Sequence, residues 1–158
     1  MTTHSKVQNI LVICMGNICR SPTMEAVLKT KADEHSLNLE IDSAGTINYH
    51  QGNTPDRRSV QAGEKRGYCF ANIRSRQITQ DDFAAFDLIL CADKQNLSDL
   101  KAVCPSEHAN KLHLFLEYAD AEQQEVPDPY YGQGDGFELV LDLVETASER
   151  IVQRLLRS

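Results

Sequence analysis

Five residues near the start, Asn9-Ile10-Leu11-Val12-Ile13, leave this chain few folds to choose from. A strand with one wet face alternates apolar and polar residues. A continuous apolar, β-branched run is a strand covered on both faces, as in a parallel sheet between helices. The run stops at Cys14, and Ser21-Pro22 opens a helical stretch. Ser21 is the expected N-cap, with Pro22 at the first helical position, where its missing N–H costs nothing. Met24, Val27 and Leu28 mark the buried stripe of that helix. The opening unit is therefore strand, tight loop, helix.

The alternation repeats downstream. Leu37 to Ile41 reads as a second strand ending at Asp42-Ser43-Ala44-Gly45, Leu88 to Cys91 as a third, and Leu112 to Leu116 as a fourth. Residues 46–55 read as a loop. Helices are expected from Asp56 to Arg66, where Gly67 stops the run, and from about Lys94 to Val103. Phe137, Val140, Val144, Ala147, Ile151 and Leu155 recur at three- and four-residue steps, which predicts a long C-terminal amphipathic helix. The pattern predicts a single α/β domain over residues 1–158. Its core is a four-stranded parallel sheet with helices on both faces, a flavodoxin-like three-layer sandwich with right-handed crossovers. Such sheets bind ligands beyond the carboxyl ends of their strands.

Charge narrows the function. The formal net charge is −7, and Lys and Arg form no basic stripe, which argues against nucleic acid and anionic membrane surfaces as partners. No apolar run approaches a membrane span and the first residues lack a signal-peptide core, so a cytoplasmic location is expected. An acidic chain that binds a dianion must do so with local devices. The five cysteines, at 14, 19, 69, 91 and 104, form no C-x-x-C pair. Neither a disulfide framework nor a metal site is expected, and no cofactor is called for.

The chemistry concentrates between Cys14 and Arg20. The five residues between them, Met15, Gly16, Asn17, Ile18 and Cys19, can wrap a tetrahedral oxyanion with their backbone N–H groups inward. The helix start adds partial positive charge, and Gly16 eases a tight bend. Arg20 can hold two oxyanion oxygens with its planar fork, which a lysine could not. These surroundings favour a Cys14 thiolate, a nucleophile held against the phosphorus atom it would attack. The bland alternative, a packed Cys14 and a surface Arg20, fits poorly with their place between a buried strand and a helix start. Asp128, between Pro127 and Pro129, reads either as a turn residue or as a preorganised general acid. Tyr49, Tyr130 and Tyr131 read as surface aromatics or as walls for a flat ring, and Cys19 as a packed thiol or a redox partner of Cys14.

The segment Val12-Ile13-Cys14-Met15-Gly16-Asn17-Ile18-Cys19-Arg20-Ser21-Pro22 resembles the active-site signature of the low-molecular-weight protein tyrosine phosphatases. Further matches follow in order: Asp42-Ser43-Ala44-Gly45, Gly52-Asn53 with Pro55-Asp56, Leu90-Cys91 with Asp93 and Asn96-Leu97, and Val126 to Gly132. The resemblance implies hydrolysis of phosphotyrosine in protein substrates through a cysteinyl-phosphate, without a metal. Phosphate, vanadate or other oxyanions would inhibit. It implies Cys14 as nucleophile, Arg20 as phosphate clamp and Asp128 as general acid. Met15, Gly16, Ile18 and Cys19 would cradle the phosphate, and Asn17 would hold the loop in shape. Ser21 would hydrogen-bond Cys14, while Tyr49, Tyr130 and Tyr131 would line the mouth. Cys19 would trap oxidised Cys14 in a reversible disulfide.

Many relatives place a histidine before the Arg76-Gln77 segment to support the loop. Residues 71–77 contain none, and Asn72 or Ile73 falls near that position. His50 beside Tyr49 either tunes substrate choice or is solvated. The rival readings are an arsenate reductase relaying electrons through Cys91 and Cys104, a protein-arginine phosphatase, and a non-catalytic phosphotyrosine-binding or redox-sensing module. Ile18, apolar where arginine phosphatases tend to carry threonine, and the retained trio Cys14, Arg20 and Asp128 favour the tyrosine phosphatase.

Overall fold

The computed structural model describes residues 6–129 and 135–158. Strands β1 (Asn9–Cys14), β2 (Glu40–Gly45), β3 (Leu88–Cys91) and β4 (Leu112–Leu114) form one sheet in the order β2-β1-β3-β4, every pair parallel. The continuous apolar run is explained by its place in the middle. Ile10 to Ile13 are all 0% exposed. Ile10, Val12 and Cys14 pack into one core with residues of α1 (Arg20–Glu34), α2 (Arg57–Lys65) and α6 (Gly136–Leu156). Leu11 and Ile13 pack into the other, with Phe83 of α3 (Gln80–Ala85) and Leu100 of α4 (Lys94–Val103). Full burial of each such side chain is worth roughly 1.5–3 kcal/mol, so both faces of β1 must be covered for the run to be favourable. The expected α/β sandwich is what forms.

Four local expectations need correction. The second strand lies at Glu40–Gly45, not Leu37–Ile41. Leu37 is buried, but in the turn that ends α1, where its N–H donates to the Ala32 carbonyl at 2.9 Å. The polar Asp42-Ser43 pair is tolerated inside β2 because Arg76 pairs with Asp42 and the Ser43 hydroxyl donates to Glu25. The fourth strand stops at Leu114. Phe115 and Leu116 belong to a single helical turn, α5 (Phe115–Tyr118), whose burial looks the same in sequence as that of a strand. Helix α1 begins at Arg20 with Cys19 at the cap position, so Ser21 lies inside the helix and its hydroxyl is available for other work. Helix α3 was not anticipated. Its capping box, Thr79 with Asp82, is a readable signal on an element of only six residues.

The sheet order places the site. The chain leaves β1 toward β2 on one side and reaches β3 on the other, which opens a crevice beyond the carboxyl ends of β1 and β3. Cys14 ends β1, and Cys91 ends β3 two residues before Asp93.

Candidate active site

Residues 14–19 are fastened from outside by their carbonyls. The Cys14 and Met15 carbonyls accept from Thr46 and Ile47 N–H at 3.1 Å each, and Ile18 accepts from Asp56 N–H at 2.7 Å. The Gly16 carbonyl accepts from the Ser75 hydroxyl at 2.9 Å, and Cys19 from the Thr23 hydroxyl at 3.1 Å. Carbonyls turned outward turn the peptide N–H groups inward, the arrangement an oxyanion needs. Asn17 adopts a left-handed φ of 56°, which asparagine tolerates better than most residues. Gly45 is fixed by proximity, because a Cβ there would stand 2.6 Å from the Met15 carbonyl oxygen.

The loop encloses a pocket of about 40 Å³ lined by Cys14, Met15, Gly16, Ile18, Cys19, Arg20, His50 and Asp128. That is room for about three waters, the scale of one tetrahedral oxyanion. The Cys14 sulfur lies 3.1 Å from the Ser21 hydroxyl. The Arg20 side chain is 4% exposed, and its Nη1 donates to Asp93 Oδ2 at 2.6 Å and to the Val126 carbonyl at 3.0 Å. Both bonds fall on Nη1, which leaves the Nε and Nη2 edge for two oxyanion oxygens. Burial works against the guanidinium charge, but Cys14, Asp93 and Asp128 outweigh it and hold Arg20 above its ordinary range. Asp128 Oδ2 is 3.7 Å from Arg20 Nη2, with its side chain 31% exposed, at the open side of the pocket.

A polar chain behind the loop supports it. Asn17 Nδ2 donates to Ser21 Oγ at 2.8 Å and to Ser43 Oγ at 3.0 Å. Ser43 donates to Glu25 Oε1 at 2.6 Å, Lys29 pairs with Glu25 Oε2, and the Asn17 side-chain carbonyl accepts from Arg76 N–H at 3.0 Å. Asn17, Ser21, Glu25 and Ser43 are all buried. The position where many relatives carry a histidine takes no part in this chain of contacts. Asn72 is exposed and Ile73 is packed in the apolar core, so neither takes that place. Sequence reasoning missed Glu25, Ser43 and Asp93 as site residues. A charged residue on the buried stripe of α1 and a serine in a strand were the available signals.

The structure brings Cys14, Met15, Gly16, Ile18, Cys19, Arg20 and Asp128 together around one pocket, with Asn17 and Ser21 directly behind it. Tyr49 is 82% exposed and does not line the pocket; its neighbour His50 does. Tyr130 and Tyr131 lie outside the described residues. Cys91 faces the core on the opposite side of the sheet from Cys14, so an electron relay through it is not assembled. Cys19 is buried beside Cys14. Burial, then the charges of Asp56, Cys14 and Asp128, push its thiol up to about 12.

A cysteine at the end of β1, an oxyanion loop and a buried arginine at the switch point of a doubly wound sheet define a cysteine-dependent phosphatase. The family model described as low molecular weight phosphotyrosine protein phosphatase matches residues 9–158. The chain belongs to that family. It is 44% identical over 137 residues to the low molecular weight phosphotyrosine protein phosphatase of Rattus norvegicus, covering 84% of this chain and 86% of the relative. A protein tyrosine phosphatase from Entamoeba histolytica, solved with Hepes in its active site, superposes with a TM-score of 0.89 at 39% identity, covering 94% of this chain and 96% of that one. Wzb of Vibrio vulnificus in complex with benzylphosphonate gives 0.85 at 30% identity, covering 94% and 99%.

Proposed function

We propose that this chain, as one domain, hydrolyses phosphotyrosine in cytoplasmic protein substrates through a cysteinyl-phosphate intermediate. The observation that carries the reading is the Arg20 guanidinium, anchored by Nη1 to Asp93 and Val126 and lining the same pocket as Cys14. The Cys14 thiolate attacks phosphorus as the P–O bond to the tyrosine breaks, and Asp128 gives its proton to the departing oxygen. Asp128 then takes a proton from the water that attacks phosphorus, the S–P bond breaks, and phosphate leaves. The Ser21 hydroxyl steadies the sulfur as it is released. Backbone N–H groups and Arg20 hold the equatorial oxygens throughout, and inorganic phosphate and vanadate inhibit by occupying the same cradle.

Cys14→Ser should abolish turnover of p-nitrophenyl phosphate and phosphotyrosine peptides while still binding vanadate. Turnover near that of the parent protein removes Cys14 from its role. Asp128→Asn should slow phenyl phosphate by about two to four orders of magnitude, and p-nitrophenyl phosphate less, because p-nitrophenolate departs unaided. Equal losses on both substrates assign Asp128 to loop positioning instead.

Reversible oxidation belongs to the same reading. Peroxide oxidises the Cys14 thiolate to a sulfenic acid with release of hydroxide. The Cys19 sulfur then attacks, a disulfide forms and water leaves. Because Cys19 is held as a thiol, disulfide closure should accelerate by about tenfold per pH unit from 7 to 9. Dimedone trapping set against mass spectrometry of the Cys14–Cys19 bond measures this. A pH-independent rate sinks the assignment of Cys19.

A further inference from the structure

A second depression, of about 510 Å³, is lined by Pro55, Arg57, Val60, Glu64, Phe70 and Arg74, among others. Its two arginines flank residues that hold the phosphate loop. Asp56, next to Arg57, donates its N–H to the Ile18 carbonyl, and Ser75, next to Arg74, donates its hydroxyl to the Gly16 carbonyl. Each arginine of the groove is thus one residue along the chain from a group that fastens the phosphate cradle.

Two of its lining residues are cations without a carboxylate partner among the described residues. The chain carries a net charge of −7, and Arg20, Arg58, Arg66 and Arg76 each pair with one or more carboxylates. Arg57 and Arg74 are exposed and form no ion pair among the described residues; Arg74 donates only to the neighbouring Ile73 carbonyl. Arg57 is also the first residue of α2, where the helix dipole disfavours a cation. Two unpaired cations, one placed against a helix dipole, face a groove walled by the apolar surface of Pro55, Val60 and Phe70.

Resting on the phosphotyrosine reading above, we propose that this groove takes the polypeptide flanking the phosphotyrosine. It selects substrates with an aspartate or glutamate within a few residues of it. The stem of the flanking segment lies on the apolar wall, and its carboxylate meets Arg57 and Arg74. An acidic enzyme repels acidic peptides at long range, so such a preference has to be built locally, with Glu64 repelling a carboxylate that strays along the groove. The pairs are solvent-exposed and therefore screened by salt.

The test uses the full chain and two phosphotyrosine peptides, identical except for Glu or Gln at the three positions on either side of the phosphotyrosine. The acidic peptide should show kcat/KM about three- to tenfold higher at low salt, mostly in KM, with the difference shrinking in 0.5 M salt as the Debye length falls to about 4 Å. Arg57→Gln with Arg74→Gln should remove the preference, and Arg57→Glu with Arg74→Glu should invert it. Turnover of p-nitrophenyl phosphate and of the neutral peptide should be unchanged in both. Equal kcat/KM for the two peptides with the parent protein, or a preference that survives both double variants, overturns the groove assignment alone. Failure to turn over either peptide overturns the phosphotyrosine reading, and this inference with it.

Discussion

Asp93 shows how one carboxylate can serve two elements. Its Oδ1 accepts from Asn96 N–H at 2.8 Å, capping α4, while Oδ2 accepts from Arg20. Asp93→Ala removes both. It should cost about 0.5–2 kcal/mol of stability through the cap alone. It should also lower kcat well beyond what that loss explains, because the guanidinium is no longer aimed. Asp93→Ser separates the two effects. A serine can cap but is too short to hold Arg20, so melting should recover and kcat should not. Recovery of both would make Asp93 merely structural. Ser43 is a second such residue. Ser43→Ala leaves one Asn17 amide hydrogen and one Glu25 oxygen without their partner in a buried site, at a cost of about 1–3 kcal/mol. The loss of kcat should exceed any change in KM. A loss confined to thermal stability would detach Ser43 from the loop.

At the scale of elements, the decisive contact is between β2 and the phosphate loop. The last residue of β2, Gly45, lies so close to the loop that an added Cβ would meet the Met15 carbonyl oxygen at 2.6 Å and the Asn17 nitrogen at 3.2 Å. Both are backbone atoms and cannot rotate away. Gly45→Ala should therefore destabilise by about 1–3 kcal/mol and deform the cradle, so that vanadate affinity falls along with kcat. Gly16→Ala is the contrast. Its nearest neighbour is the His50 ring at 3.0 Å, a side chain that can swing aside. Vanadate titration of the two variants checks the ranking, and a Gly45→Ala protein with intact affinity would remove β2 from the support of the loop.

The whole molecule is held partly by carboxylates kept ionised at its joints. Burial raises the pKa of Asp82, but hydrogen bonds from Arg76 and Thr79 win and hold it below the usual carboxylate value. Asp56 is likewise opposed by burial and lowered by Arg58. A carboxyl titrating lower in the folded than in the unfolded chain, where Asp lies near 3.9, stabilises the fold at every pH above about 4. That contribution is lost as pH falls through the lower folded value. Melting temperature should therefore drop steeply below about pH 4. Asp56→Asn with Asp82→Asn should melt lower at pH 7 and fall less on acidification. Parallel curves for the two proteins would place the acid sensitivity elsewhere.

The order of strands and helices, and the loop from Cys14 to Arg20 that surrounds the pocket, were legible in the chain because they rest on short-range rules; Asp128 stayed open between a turn residue and an acid, and only the resemblance singled it out. A strand covered on both faces needs an unbroken apolar run, and an oxyanion loop needs its cysteine and arginine at a fixed spacing just before a helix. β2 was misplaced because its polar residues are satisfied by Arg76 and Glu25, 34 and 18 residues away. Ser21 read as a cap because a serine before a proline usually is one; only the folded loop sets its hydroxyl against the Cys14 sulfur, where it accepts from the Asn17 amide. Nothing near residue 72 announces the support that the loop has. Ser43, itself held by Glu25, and the Arg76 N–H meet Asn17 only once β2, α1 and the loop before α3 have packed. Local sequence sets backbone preference and chemical type. Which buried donor meets which acceptor depends on distant segments arriving together, and only the tertiary structure decides that.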